Sequence, residues 1–147
     1  PAPRLGAAGE PARAGGVNAT SLSFRLTVGG RFRYLNTGDA TVAEEQALLA
    51  AWPADSLRAD LLKVGHHGSR TSSDPAFLEA VAPRLAVVSA GVGNRYGHPH
   101  PEVLSRLEAS GVERVWRTDR HGTLCVEIAP DGRWRVRGDG PWRTPGA

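Results

Sequence analysis

The chain has 147 residues, 40% apolar and 22% charged, which is one domain's worth of ordinary globular sequence and excludes a disordered tail. No apolar run reaches the roughly 18 residues of a membrane span, no charged-then-apolar leader opens the sequence, and the single Cys125 excludes an internal disulfide framework or a multi-cysteine zinc site. Net charge is only +3, with Lys63 the sole lysine among 18 basic residues; arginine suits phosphate but compositional bias gives the same excess, so charge alone assigns no partner.

Residues 1–17 hold three prolines without apolar periodicity and read as a linker or a truncated loop. The chain starts at Pro1 and contains no Met, so it is expected to be a piece of a longer protein. Leu22, Phe24, Leu26 and Val28 alternate with polar residues, Gly29-Gly30 supplies a turn, and Phe32 and Tyr34 resume the alternation, which predicts a β-hairpin. Thr41 and Glu44 form a capping pattern ahead of a helix over 43–51. The run ADLLKV at 59–64 predicts a buried strand that stops at Gly65, with His66-His67-Gly68-Ser69 at its exit.

Asp74-Pro75 opens a helix with Phe77, Leu78 and Val81 on one face and Pro83 at its end. A strand over 84–89 follows, then a helix from Pro101 that carries Val103, Leu104 and Leu107 towards Gly111. Strands over 113–118, 122–128 and 133–137 close the pattern, the last two joined by a Pro130-Asp131-Gly132 turn, and 138–147 read as a tail. The order ββαβαβαβββ is α/β layering within one domain spanning 18–137.

Three polar clusters sit at the ends of these strands, where open α/β sheets place their sites. They are Thr37-Gly38-Asp39, His66-His67-Gly68-Ser69 and Asn94-Arg95-Tyr96-Gly97-His98. Carboxylate and imidazole are suitable donors for Zn²⁺ or Mn²⁺. Each feature alone has an ordinary structural explanation: an Asp ahead of a helix caps it, and adjacent histidines leaving a strand point to opposite faces, so one of them packs. Trp116 lies in an alternating strand and is expected in the core.

In order and spacing, Thr37-Gly38-Asp39, the segment 59–69, Asn94-Arg95-Tyr96-Gly97-His98-Pro99 and Arg117-Thr118-Asp119 resemble the C-terminal metallo-β-lactamase-like domain of ComEC-type competence proteins, the DNA-uptake channels of bacteria. The resemblance covers Asn18 to about Ile128. It implies the second half of a metallo-β-lactamase-like αββα sandwich and a site for two divalent metal ions, Zn or Mn, with Asp39 bridging them. One of His66 and His67 is implied as a further ligand; His67 is favoured, with His66 lining the site, and the choice stays open. His98 is the candidate proton donor beside Asp39 in the catalytic set, and Ser69, Asn94, Tyr96 and Arg95 are candidate substrate contacts.

The family's His-x-His-x-Asp-His motif is absent from the chain, so the metal set is expected to be incomplete here and the isolated chain inactive. The implied partners are single-stranded DNA without sequence preference, an upstream half of the same domain that carries the motif, and the membrane channel portion of the parent protein. Arg70, Arg95 and Arg117 are candidate phosphate contacts. The implied location is a soluble, extracytoplasmic domain of a bacterial inner-membrane protein, acting as a phosphodiesterase or nuclease. The alternatives are a hydrolase of a small ester or lactone, or a non-catalytic DNA-binding domain. A sheet with its partner half missing is expected to expose Leu62, Val64, Val87 and Val88.

Overall fold

The computed structural model describes residues 20–139; the linker at 1–17, the domain start at 18 and the tail beyond 139 lie outside the described residues. Strands β1 (Phe24–Val28) and β2 (Phe32–Asn36) form the expected antiparallel hairpin, in register Phe24 to Asn36 and Val28 to Phe32. Strands β3 (Leu61–Lys63), β4 (Leu85–Val88) and β5 (Arg114–Arg117) then add in chain order, each parallel to its predecessor. The fold is α/β, with a five-stranded mixed sheet ordered β1-β2-β3-β4-β5.

The sequential order has a direct consequence for layering. Right-handed crossovers that always advance in one direction deliver every connecting helix to the same face of the sheet. Helices α1 (Val42–Ala51), α2 (Ala54–Leu57), α3 (Pro75–Val81) and α4 (Pro101–Ala109) make these crossovers. Their apolar residues Leu57, Phe77, Leu78, Val81, Val103 and Leu107 meet Leu35, Leu62, Val64, Ala86 and Val88 in one core. The opposite face carries a second core of Phe32, Leu61, Leu85 and Trp116, closed by Val136 from a two-stranded sheet of β6 (Cys125–Ile128) and β7 (Trp134–Arg137).

Leu62, Val64 and Val88 are therefore buried under the helices, at 1%, 0% and 0% exposure, and Val87 packs partly buried on the opposite face, which corrects the expectation that all four line one bare face. Side chains alternate along a strand, so Val87 and Val88 cannot share a face, and the two layers cover one each. The apolar residues left exposed include Leu22, Phe24 and Leu26 at the outer edge of the sheet, at 76%, 44% and 49%. Trp116 is buried as expected. Two one-turn helices, α2 and α5 (Thr118–His121), were not anticipated because a single turn carries no periodicity.

The helix signals behave as chemistry requires. Thr41 and Glu44 form the reciprocal capping box of α1, and the Asp74 carboxylate accepts from the Ala76 and Phe77 amides ahead of α3, with Pro75 in its first turn. Phe77, 1% exposed, sits at the centre of the helix-side core. Phe77→Ala is expected to cost about 3–5 kcal/mol of folding stability, measured by urea unfolding; a loss below about 1 kcal/mol would place the centre of the core elsewhere.

Candidate functional site

The three polar clusters all emerge at the C-terminal ends of the parallel strands. Asn36 ends β2, and its side-chain oxygen accepts from the Gly38 amide at 2.8 Å, an Asx turn that lets Gly38, at φ +56°, reverse the chain. Asp39 is thereby carried to the rim, its amide bonded to Ser21 Oγ at 3.1 Å. Lys63 ends β3 in register with Asn36 and Val87. Its ammonium donates to the Gly38 carbonyl and lies 3.8 Å from Asp39 Oδ1. Burial pulls the Lys63 pKa below the ordinary lysine value, and Asp39 opposes that shift.

His66 and His67 do not continue the strand. They occupy a turn, Gly65–Gly68, in which both have left-handed backbones, φ +46° and +55°, a conformation that costs an L-residue about 1–2 kcal/mol. The turn sends the rings to different partners. His66 Nδ1 lies 3.1 Å from Thr71 Oγ1, whereas His67 Nδ1 lies 2.6 Å from the Ser89 carbonyl and His67 Nε2 lies 3.2 Å from Asp39 Oδ1. A carbonyl only accepts, so Nδ1 of His67 carries the hydrogen.

In the neutral ring Nε2 is then a lone pair aimed at a carboxylate oxygen, and a proton or a cation must lie between them. A second nitrogen spent on a backbone carbonyl is also how metal-ligating histidines are oriented. Asp39 and His67 thus fit a divalent cation as two of its donors. Among the described residues, however, no group of three or more His, Cys, Asp or Glu side chains is placed to hold a metal ion, and zinc sites use three or four protein donors.

A buried polar network holds the strained turn. Glu45, only 1% exposed on α1, accepts from the Ser73 amide at 2.8 Å and the Asp74 amide at 2.7 Å. Ser72 Oγ donates to the carbonyls of Gly65 and Ser69, both at 2.9 Å, and Arg106 reaches from α4 to the carbonyls of Arg70 and Ser72. Gly65 has no room for a Cβ, which would stand 2.6 Å from the Ala40 carbonyl oxygen and 3.3 Å from Glu45 Oε1. Gly68 abuts Pro99 with equal closeness, at 2.5 Å from a Cβ placed there, so the His66–His67 turn and the 94–100 loop are packed together.

The remaining predicted residues divide into two groups. Ser69 is 7% exposed with its hydroxyl 3.0 Å from Thr71 Oγ1, and Asn94 spends its side chain on Gly91 O, His98 O and His98 N at 3.0, 2.7 and 2.9 Å; both shape loops. Arg95, Tyr96 and His98 instead face outward or onto one another. Tyr96 stacks on His98 at 5.6 Å between ring centres, and His98 contacts His66 at 5.9 Å and His100 at 4.9 Å. Burial first, then the like charge of His100, His66 and His67, holds the His98 pKa below the ordinary histidine value. Arg117 is half-buried against Asp119, 2.9 Å from Nε to Oδ1, and Arg70 and Arg95 are exposed.

Glu45, Lys63 and Ser89 are the residues that sequence reasoning did not single out. Glu45 had a signal: it precedes Leu48 and Leu49 by three and four residues, the spacing of one helix face, so it shares the face that packs on the core. Ser89 acts only through its backbone carbonyl and has no side-chain signal at all.

No protein-family model matches the chain. Curated relatives do. The chain is 41% identical over 107 residues to ComE operon protein 3 of Bacillus subtilis, a match that covers 73% of this chain and 13% of that protein. It is 40% identical over 115 residues to competence protein ComA of Neisseria gonorrhoeae, with 78% and 16% covered. Recombination protein 2 of Haemophilus influenzae is 38% identical over 78 residues, with 53% and 9% covered. The chain is a homologue of proteins named for competence and recombination, and spans less than a fifth of the length of each. Among the described residues no helix is long and apolar enough to cross a membrane.

Burial pushes the Glu45 pKa up to about 7 from 4.5, against the Asp74 and Ser73 amides and Arg106. Between these values the folded chain holds a proton that the unfolded chain has released, so Glu45's contribution is full below about 4.5 and is lost as pH rises through about 7. Unfolding in urea at pH 4.5, 5.5 and 7.5 is expected to show about 3 kcal/mol of such decline that is missing in Glu45→Gln. Parallel pH profiles for the two proteins would refute the assignment.

Proposed function

We propose that this chain is part of a bacterial DNA-uptake protein of natural transformation, and that it forms one edge of a metal-dependent phosphodiesterase site acting on single-stranded DNA without sequence preference. Homology to competence proteins supports the setting. The observation that carries the chemistry is His67 Nε2 set 3.2 Å from Asp39 Oδ1 while Nδ1 is committed to the Ser89 carbonyl.

Asp39 and His67 would hold the cation, with His66 beside them. The remaining donors come from outside these residues, in the preceding half that the resemblance implies. A divalent cation, Zn²⁺ or Mn²⁺, supplies Lewis-acid neutralisation of phosphoryl charge when bound. Around it, Lys63 offsets the charge of Asp39 and keeps the carboxylate at the rim. His98 would donate to a phosphate oxygen or to the leaving oxygen. Arg70 holds backbone phosphate without reading bases. The channel portion of the same protein is the proposed partner that delivers the strand, with this domain outside the cytoplasmic membrane.

The full-length protein loaded with Mn²⁺ is expected to cleave a single-stranded oligonucleotide. Asp39→Ala and His67→Ala should each lower the rate at least about a hundredfold and reduce bound metal, measured by elemental analysis. Arg84→Ala, at the opposite end of β4 in an exposed pair with Glu113, should change neither. Full cleavage and full metal content in both site variants would remove the site from these residues. Metal binding without DNA cleavage would favour a small ester or lactone as substrate.

A further inference from the structure

Beside the Asp39–His67 pair lies a cleft of about 290 Å³ walled by His67, Ser89, Gly91, Asn94, Tyr96 and His98. Its outer wall is unusual. Tyr96 is 60% exposed, yet its ring is held nearly parallel to His98, with 23° between the planes and 5.6 Å between centres. The Arg95 guanidinium lies 4.9 Å from the same ring centre and donates to the phenol oxygen at 2.7 Å. The contact continues inward edge-on, His98 to His66 at 5.9 Å and 66° between planes, so the Tyr96–His98 stack abuts the His66–His67 turn.

The loop that presents this stack is fixed rather than loose. Asn94 clamps both of its ends through Gly91 and His98, the Gly97 amide donates to the Asn94 carbonyl at 3.1 Å, and Pro99 is seated on Gly68. A rigid aromatic face loses little entropy when a ligand stacks on it. Every nucleobase has a π-face that stacks on such a ring irrespective of sequence, and the exposed Arg95 guanidinium, which lies over the ring, suits the phosphate of a nucleotide whose base takes its place there.

Resting on the phosphodiesterase reading above, we propose that Tyr96, braced by His98 and flanked by Arg95, is a stacking platform for one unpaired nucleobase of the substrate strand. The platform sets the substrate class. A paired base is stacked on its neighbours inside the duplex and cannot lie on Tyr96, so a single strand gains a contact that a duplex lacks. The base stacked there places its own nucleotide along the cleft that leads to His67.

The test is binding, which does not depend on cleavage. Fluorescence anisotropy of labelled oligo-dT and of a duplex of equal length is followed with the full-length protein at one salt concentration. Tyr96→Ala is expected to weaken single-strand binding by about 5- to 150-fold and to leave duplex binding within twofold, while Tyr96→Phe keeps the native affinity. An oligonucleotide with abasic sites should bind the native protein more weakly and Tyr96→Ala no more weakly still, because both changes remove the same contact. Equal affinity of native and Tyr96→Ala protein for oligo-dT, equal losses on single strand and duplex, or no binding by the native protein would overturn the platform. Tyr96-dependent binding by a protein that cuts no DNA keeps the platform and removes the nuclease.

Discussion

A strained turn held over a buried carboxylate is the constraint on which the site depends. His66, His67 and Ser73 have left-handed backbones within eight residues, a cost of about 1–3 kcal/mol each. The compensation is local: Glu45 and Ser72, two of the buried polar residues, hydrogen-bond to the backbone of this segment. Glu45 supplies two strong acceptors to backbone amides that have no helix or strand to satisfy them. Burial raises its pKa while the two amides lower it, and strain of this kind is concentrated where a protein must aim side chains rather than merely pack them.

The aiming is set by sheet topology. Because the parallel strands advance one way, all crossover helices cover one face, and the other face is left to the β6–β7 sheet. That small sheet covers Phe32, Leu61, Leu85 and Trp116 but not the whole face. The row Phe24, Asn36, Lys63 and Val87, in register across four strands, runs along the edge where Asp39 and His67 meet. Lys63 is thus the one charged residue of that row and stands where it can offset Asp39.

Asp39 and His67, 3.2 Å apart, are two of the donors that the proposed cation site requires. A carboxylate and an imidazole fixed by a backbone carbonyl are rigid before any cation arrives, which lowers the cost of binding one. The Tyr96–His98 stack is separate from this pair and rests on a different loop, joined to it through the contact of Gly68 with Pro99. The proposed cation site and the proposed base platform therefore occupy neighbouring loops that pack on each other.

Much of this was legible in the sequence where the signal is local. Alternation in 22–34, the Thr41-Glu44 capping box and Asp74-Pro75 each mark their elements within a residue or two, because hydrogen-bond satisfaction at a helix end or a hairpin turn is settled by adjacent side chains. The clustering of Asp39, the histidine pair and Tyr96-Gly97-His98 at strand ends was equally readable. What only the tertiary structure decided was orientation and burial. His66 and His67 leave a turn rather than a strand, so pleat alternation could not say where their rings point. Leu62, Val64 and Val88 are covered because the direction of the crossovers, a property of the whole sheet, brings every helix to their side. Glu45 is buried because a loop 28 residues away turns its amides inward to meet it. Local chemistry is written in neighbouring residues; which of two faces is covered, and by what, depends on contacts between residues far apart in the chain.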